Sequence, residues 1–372
     1  MTDMAIATPK KGRAPLNPVL ARELRVRLSS GRTWLLLGGY LLVLAAIVFF
    51  VYQAESVVHS TDGFSAPSPT RFASVGRSVF EWLVFFMLLL VLFLVPGLTS
   101  GAIAGERDRQ TLVPLQVTLL RPWQVVVGKL TSSFAFVGLL VVATMPLLSV
   151  AYLIGGVTIQ SVVKGVAVVL FTGVVLTCMS IGCSAFFKRV QTATVAAYGL
   201  VLVLVFGTML AWAAAGVIDD TRGSDTIDPP AALLALNPLF TAADVLDDGE
   251  RVADLGLGST PFRFLQDRLN ESQYGSGINT FTDFAPGGFT RVVAADGSGG
   301  VAFGGGGIGG GGFGVGPNGR PIIGIDQNGN PVEADDSGFP FWATSVIALY
   351  VAAIGSMLFA ATRLRTPART ER

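Results

Sequence analysis

The sequence predicts an all-α, polytopic membrane protein with six transmembrane helices. Of its 372 residues, 51% are hydrophobic and only 14% are charged, whereas an ordinary soluble domain carries about 25% charged residues. A run of roughly 20 apolar residues can cross the hydrocarbon core of a bilayer as a helix. Six runs of about that length contain no Asp, Glu, Lys, Arg or His: 34–52, 82–104, 132–153, 165–187, 192–217 and 341–361.

The charges that flank these runs predict the orientation of the chain. If successive runs alternate in direction, 17 of the 26 Lys and Arg residues fall on the side of the N-terminus, in tails and short loops. Cations in short loops are the ones that set membrane orientation, and they favour the cytoplasm. We therefore expect a multi-pass protein of the plasma membrane with both termini in the cytoplasm, including the basic tail 362–372.

The segment 1–33 is predicted to be cytoplasmic and to contain an amphipathic helix at the membrane surface. Asn17 and Pro18 form a helix start, with Asn as the cap and Pro at the first helical position. Arg25 and its charged neighbours occupy other faces than the leucines. The leucines recur at every fourth position: Leu16, Leu20, Leu24 and Leu28. A flank that is merely basic would explain the charges but not this spacing.

The second run contains a proline and a row of glycines. Pro96 is expected to kink the helix, because a proline inside a helix removes one backbone hydrogen bond. Gly97, Gly101 and Gly105 recur at four-residue spacing. This spacing leaves one smooth face along which another helix can pack closely.

The segment 105–130, between the second and third runs, carries most of the information about function. It begins with mixed charges, continues with leucines, and breaks at Arg121 and Pro122 before a new helix starts at Trp123. A short helix pair on the cytoplasmic surface fits this pattern. Such a pair would present its charges to another protein rather than to lipid.

The long segment 218–340 is expected to be extracytoplasmic and partly disordered. It contains 17 Asp and Glu against 6 Arg. Residues 231–246 are apolar enough for one or two short helices, interrupted at Asn237 and Pro238. Residues 297–319 hold 14 of the chain's 45 glycines without a regular period, which predicts a flexible linker. Residues 322–332, with Asn328 and Gly329 between apolar runs, predict a small hairpin.

The sequence lacks the patterns of a nucleotide-hydrolysing or histidine-dependent enzyme. Its one Gly-Lys pair, Gly128 and Lys129, has Trp123 where a phosphate-binding loop needs glycine and Leu130 where it needs Ser or Thr. We expect no enzymatic activity, no cofactor and no metal site on this chain. The six runs also lack the ionisable residues that ion-coupled carriers place inside the membrane, which disfavours a secondary carrier.

In their order along the chain, these features resemble a permease subunit of the ABC-2 type of ATP-binding-cassette transporters. The resemblance is carried by 17–25 before the first run, by the sequence GERDRQTL at 105–112 after the second, and by 121–123 and 128–130 before the third. It covers residues 16 to about 215. Gln110 stands where such permeases commonly have glycine, and the outer segment is longer and richer in glycine than their short helical hairpin.

The resemblance implies a division of labour between subunits. A separate ATPase subunit would dock beneath residues 106–123, which would act as its coupling helix, and a second permease subunit, identical or different, would complete the pathway in the lipid bilayer. No nucleic acid is expected as a partner. Export is favoured by family analogy. The resemblance assigns polar and apolar contacts with the ATPase to six residues: Glu106, Arg107, Asp108, Arg109, Leu112 and Leu115.

Two other functions are compatible with the sequence. The chain could be a membrane anchor or assembly protein that displays its extracytoplasmic segment, or it could be a secondary carrier. An anchor of that kind would need a packed core in the outer segment, where the sequence has few apolar periods.

Overall fold

The chain folds into a bundle of long helices, seen in a computed structural model that describes residues 31–61, 69–108, 122–222, 231–246, 260–274, 281–285, 289–293, 299–302, 322–325, 331–333 and 341–365. The α-helices of these residues are α1 Gly31–Thr61, α2 Pro69–Thr99, α3 Ala104–Asp108, α4 Pro122–Ile154, α5 Ile159–Phe186, α6 Val190–Leu202, α7 Thr208–Arg222, α8 Pro238–Leu246, α9 Pro261–Tyr274 and α10 Phe341–Arg365.

Two short helices of other types accompany them. A π-helical turn, Val203–Gly207, joins α6 to α7, and a 3₁₀-helix, Ala231–Leu236, precedes α8. The strands β1 Phe281–Ala285, β2 Phe289–Val293 and β3 Gly299–Ala302 form one antiparallel sheet, and β4 Ile322–Ile325 pairs with β5 Pro331–Glu333. The second pair lies where the sequence predicts a hairpin. The first sheet is not predicted, and β3 occupies part of the expected glycine-rich linker.

Six helical spans are long and apolar enough to cross a membrane, which confirms the number that the sequence predicts. They are formed in order by α1, by α2 together with α3, by α4, by α5, by α6 with the π-helical turn and α7, and by α10. Successive spans run in opposite directions, so the bundle has two ends. We call the end where α1 begins and α3, α5 and α10 finish the N-terminal end, and the other the loop end.

The fourth span, α5, is the centre of the bundle. In an 18-residue apolar stretch of α5, 61% of the residues are buried inside the bundle, against 56% for the second span, 17% for the first and 22% for the fifth and the sixth. Small residues explain this position, because they let neighbouring backbones approach closely. A side chain added at Gly182 would overlap Ser356 on α10, and the Ser356 hydroxyl donates a 2.9 Å hydrogen bond to the carbonyl of Cys178. Cys178 and Cys183 are both free thiols.

The turn from α4 into α5 depends on two glycines. Gly155 and Gly156 have φ angles of 109° and 74°, which lie in the left-handed region that glycine adopts without steric cost. Gly156 also packs directly against the backbone of Ala73 on α2. Thr158 then caps α5, since its hydroxyl accepts a 3.1 Å hydrogen bond from the amide of Ser161.

Part of the predicted extracytoplasmic segment 218–340 lies inside the bundle instead. The 3₁₀-helix and α8, which we call the re-entrant pair, are separated at Asn237 as the sequence predicts, but their side chains enter the main core. Leu234, Phe240, Ala242 and Ala243 are all at most 1% exposed. The tertiary reason is that this apolar segment is too short to cross a membrane and buries its surface against spans four, five and six.

The spans also carry buried charges that the uncharged runs do not include. The helices extend beyond those runs: α2 starts at Pro69, thirteen residues before the predicted 82, and α4 starts at Pro122. As a result Glu55, Glu81 and Lys129 lie on spanning helices and are 2%, 6% and 7% exposed. The expectation that the spans carry no ionisable group is therefore wrong for the helical turns that extend beyond the uncharged runs.

Several predicted features lie outside the described residues. These are the interfacial helix with Asn17, Pro18, Leu20, Leu24 and Arg25, the coupling residues Arg109, Leu112 and Leu115, and most of the glycine-rich linker.

Candidate functional site

The candidate site lies at the N-terminal end of the bundle, where α2 gives way to the short helix α3. The α-helical hydrogen bonds of α2 end at Thr99, three residues after Pro96, and Thr99 turns its hydroxyl back onto the carbonyl of Val95 at 2.7 Å. Residues 100–103 form a turn before α3 begins at Ala104. The regular α-helix is thereby interrupted just before the charged cluster that the sequence singles out.

Ser184, near the end of α5, holds the start of α3. Its hydroxyl oxygen accepts hydrogen bonds of 2.9 Å from the backbone amides of Ile103 and Ala104. The first amides of a helix have no partner within the helix, and here a side chain from another span supplies one. Ser184 is fully buried, so these amides have no access to water as an alternative partner.

Arg107 on α3 holds the end of α5 in return. Its guanidinium nitrogen Nη1 lies 3.5 Å from the carbonyl oxygen of Ala185 and 3.4 Å from that of Phe187. The last carbonyls of a helix lack partners and carry its partial negative charge. A cation placed there satisfies both conditions, so α3 and the end of α5 cap each other.

Glu106 joins α3 to the start of the third span. Its Oε1 lies 2.8 Å from the Nζ of Lys129, and the Lys129 side chain is only 8% exposed, against 27% for Glu106. A buried ammonium group is costly unless it is paired. The ion pair therefore links α3 and α4, the two helices that border the segment 109–121.

The glycine row of the second span faces the fifth span. A Cβ at Gly97 would lie 2.6 Å from the hydroxyl of Tyr198, and Cβ atoms at Gly101 and Gly105 would lie 3.4 and 3.7 Å from Val190. Beside this row the hydroxyls of Ser100 and Thr194 lie 2.8 Å apart. Span five thus packs closely along the same stretch that ends in α3.

The predicted coupling residues separate into two groups. Glu106 and Arg107 contact the bundle, as described above, whereas Asp108 is exposed at the end of α3. The first two side chains therefore orient the segment rather than offer free charges to a partner. Arg109, Leu112 and Leu115 follow immediately but lie outside the described residues, so their expected contacts stay a prediction.

A second polar cluster anchors the re-entrant pair deep in the bundle. The side-chain amide of Asn237 donates hydrogen bonds of 2.9 Å to the carbonyl of Val205 and 3.0 Å to the hydroxyl of Thr208. Its oxygen accepts a 3.0 Å bond from the amide of Leu239 and so caps α8. Val205 belongs to the π-helical turn, whose altered register leaves carbonyls available for side chains.

Sequence reasoning missed three features of these sites. Ser184 gives no local signal, since one serine in an apolar helix is common. Glu81 does have a local sequence signal, because it follows Arg77 at the four-residue spacing of a helical ion pair. Helix α9 has a stronger sequence signal, because Thr260 and Pro261 form a helix start and apolar residues follow at helical spacing.

The chain was compared with family models and with curated proteins, and neither comparison finds a match.

Proposed function

We propose that this chain is the membrane-spanning permease subunit of an ATP-driven transporter of the ABC-2 type. A separate ATPase subunit would dock beneath residues 106–123, a second permease subunit would complete the pathway, and export would be the direction of transport. The observation that carries the proposal is that side-chain contacts hold the ends of this segment against the bundle. Glu106 with Lys129, Arg107 with the end of α5, and Ser184 with the start of α3 tie it to the third and fourth spans.

This arrangement suits the transmission of force from an external motor. A load applied between Asp108 and Pro122 reaches α5 through Ser184 and Arg107, and it reaches α4 through the ion pair of Glu106. At the other end of the bundle α5 packs against α8, where a Cβ at Gly165 would lie 3.7 Å from Leu246. A rigid, central α5 would therefore connect a coupling segment at one end to the re-entrant pair at the other.

The exposure of the spans supports a second permease subunit and surrounding lipid. Spans one, five and six leave most of their residues outside the bundle, and large apolar side chains such as Phe50, Phe206 and Tyr350 are more than half exposed. Apolar surface of this extent needs lipid or another chain around it. The cationic short loops assign the N-terminal end to the cytoplasm, where an ATPase would find its substrate.

The buried carboxylate of Glu81 does not favour a secondary carrier. An ion-coupled carrier needs an ionisable group that can release its partner inside the pathway. Both oxygens of Glu81 are engaged, one by the Arg77 guanidinium at 3.0 Å and the other by the Thr260 hydroxyl. It lies near the loop end and, with Arg77, Phe80 and Ser161, lines a cavity with room for about one water molecule.

The proposal is tested by identifying the proteins that copurify with the chain from native membranes. The full chain, purified in a mild detergent, should bring down an ATPase subunit, identified by mass spectrometry and by ATP hydrolysis in the eluate. Charge reversal at Arg109 (R109E) should reduce the recovered ATPase by about tenfold or more, since like charges placed against an interface cost several kcal/mol.

Arg189 provides the matched control. It lies at the same end of the bundle, is exposed, and borders the short loop between spans four and five. R189E makes the same change in charge and should leave recovery of the ATPase within about twofold of the unchanged chain, as expected of a charge at the rim of an interface or beyond it. Recovery of no ATPase with the unchanged chain would contradict the proposed function. Equal recovery with R109E and the unchanged chain would contradict the docking site.

A further inference from the structure

Helix α9 lies at the loop end of the bundle, over the re-entrant pair. It is outside the six spans and amphipathic, and it packs on α8, on the 3₁₀-helix and on α2. These are the elements that would have to separate if a pathway opened at this end. The contacts of α9 therefore decide how firmly the re-entrant pair is held.

The apolar face of α9 is buried in the main core. Phe262, Leu265 and Leu269 follow one helical face and are 1%, 5% and 3% exposed, whereas Phe264 on another face is 47% exposed. The ring of Phe262 packs edge-on against that of Phe85 on α2, with centroids 5.8 Å apart. This aromatic contact joins α9 to the second span.

Gln266 fastens α9 to the end of α8. Its side-chain amide donates a 2.7 Å hydrogen bond to the carbonyl of Ala243. Ala243 is one of the last four residues of α8, whose carbonyls have no partner within the helix. Next to it, Asp244 accepts a 2.7 Å bond from the amide of Trp342 at the start of α10, so the same turn of α8 is also held to the sixth span.

Glu81 fastens the start of α9 to α2. The hydroxyl of Thr260, directly before α9, donates a hydrogen bond to Oε2 of Glu81, while the guanidinium of Arg77 donates a 3.0 Å bond to Oε1. A hydrogen bond to a charged acceptor is about twice as strong as a neutral one. With Glu81 only 6% exposed, loss of its carboxylate would leave the hydroxyl of Thr260 to find another partner.

We propose that α9 is a strap, attached to the second span, that holds the re-entrant pair closed against the fourth and sixth spans, with Glu81 as the residue that fastens it. The strap must loosen before the loop end can open, a consequence that rests on the proposed transport function. The grounds for this role are local. A short helix held by one apolar face and two side-chain bonds is the kind of unit that opens independently of the core.

The strap itself is tested on the purified chain, without an ATPase. In hydrogen–deuterium exchange, E81A should speed exchange of the α9 amides about tenfold, in line with the loss of one buried, charge-assisted hydrogen bond. E81Q keeps an acceptor for Thr260 and should restore most of the protection. The control D108A removes an exposed carboxylate at the opposite end and should leave exchange of α9 unchanged. Equal exchange of α9 in E81A and in the unchanged chain would overturn the proposal.

The link to opening is tested in the complex with its ATPase. Cysteines at positions 81 and 260, in a chain whose own two cysteines are replaced by Ala, are joined by a short reducible bis-methanethiosulfonate reagent. Joining them should lower ATP turnover at least about fivefold, and reduction should restore it. In the control, cysteines at 77 and 81, both on α2, are joined by the same reagent without involving α9. Adding the reagent to this variant should leave its ATP turnover at the value measured before the addition.

The two experiments separate the possible failures. If no ATPase is recovered, the transport proposal fails while the exchange result still stands. If the joined complex turns over at the full rate, the strap does not control opening, whatever the exchange shows.

Discussion

The Oγ of Ser184 lies 2.9 Å from the backbone amide of Ala104, eighty residues earlier in the sequence, and it accepts a second bond from the amide of Ile103. One hydroxyl thereby fixes the start of α3 onto the central span. The polar contacts of Glu106 and Arg107 with the bundle follow from this placement, because both residues lie within the next turn.

The first prediction is that S184A destabilises the fold. The substitution leaves two buried amides without an acceptor, which should cost about 1–3 kcal/mol. The measurement is the unfolding of the purified chain in detergent by heat or denaturant. S133A is the control, since the hydroxyl of Ser133 is buried and has no hydrogen-bond partner among the described residues, and its removal should be close to neutral. A similar loss in both variants would show that Ser184 acts through packing alone.

The second prediction concerns the ion pair of Glu106 and Lys129. E106A should destabilise the chain by about 1–3 kcal/mol, below the full cost of breaking a buried pair, because Glu106 is 27% exposed. A double-mutant cycle with K129A isolates the interaction between the two side chains. The exchanged pair E106K with K129E should recover part of the loss. If the two single effects simply add, the two residues do not interact.

The third prediction compares glycines by the space around them. G182A should destabilise the bundle by about 1–3 kcal/mol, because its methyl group would overlap Ser356 on α10 and force the helices apart. G199A, also within a helix, meets nothing within 4 Å in the described structure. Since alanine favours helices over glycine by about 1 kcal/mol, G199A should be neutral or stabilising. The measurement is thermal unfolding of both variants in the same detergent. A higher unfolding temperature for G182A than for the unchanged chain would contradict the close packing of Gly182 against Ser356.

The fourth prediction tests the anchor of the re-entrant pair. N237A removes both the cap of α8 and the donor to Val205 and Thr208, which should cost about 2–3 kcal/mol. N237D keeps an oxygen that can cap α8 but loses the amide donor. Its loss of stability should therefore come only from the bonds to Val205 and Thr208. Hydrogen exchange distinguishes them: N237A should expose the first turn of α8, whereas N237D should chiefly affect the π-helical turn. Identical exchange patterns would argue against separate roles for the two atoms of the amide.

Much of the fold could be predicted because it depends on local sequence. Long apolar runs predict the six spans, and Asn237 with Pro238 predicts the break before α8 at the observed residue. The ends of the spans were less predictable. Helix α2 continues to Pro69 because the ion pair of Arg77 with Glu81 and the contact of Thr260 make charged turns acceptable near the loop end, and those partners come from elsewhere in the chain.

The sequence singles out the segment of the candidate site but not the contacts that its residues make. The charged cluster from Glu106 to Arg109 stands out in the sequence, yet the sequence does not say that Glu106 and Arg107 turn inward. Their direction depends on how α3 is rotated, and that rotation is set by Ser184 and by the end of α5. Contacts of this kind join residues about eighty positions apart, beyond the reach of any local pattern.

The sequence by itself determined where the chain is apolar, and therefore how many helices are long and apolar enough to span a membrane, because the period and length of apolar runs act within a few turns of each helix. Only the tertiary structure decided which polar groups meet. It placed the short apolar segment 231–246 inside the bundle, put α9 over it, and paired Glu81 with Thr260, 179 residues away. The physical reason is that a buried polar group must find a partner, and the packing of the helices determines which one is within reach.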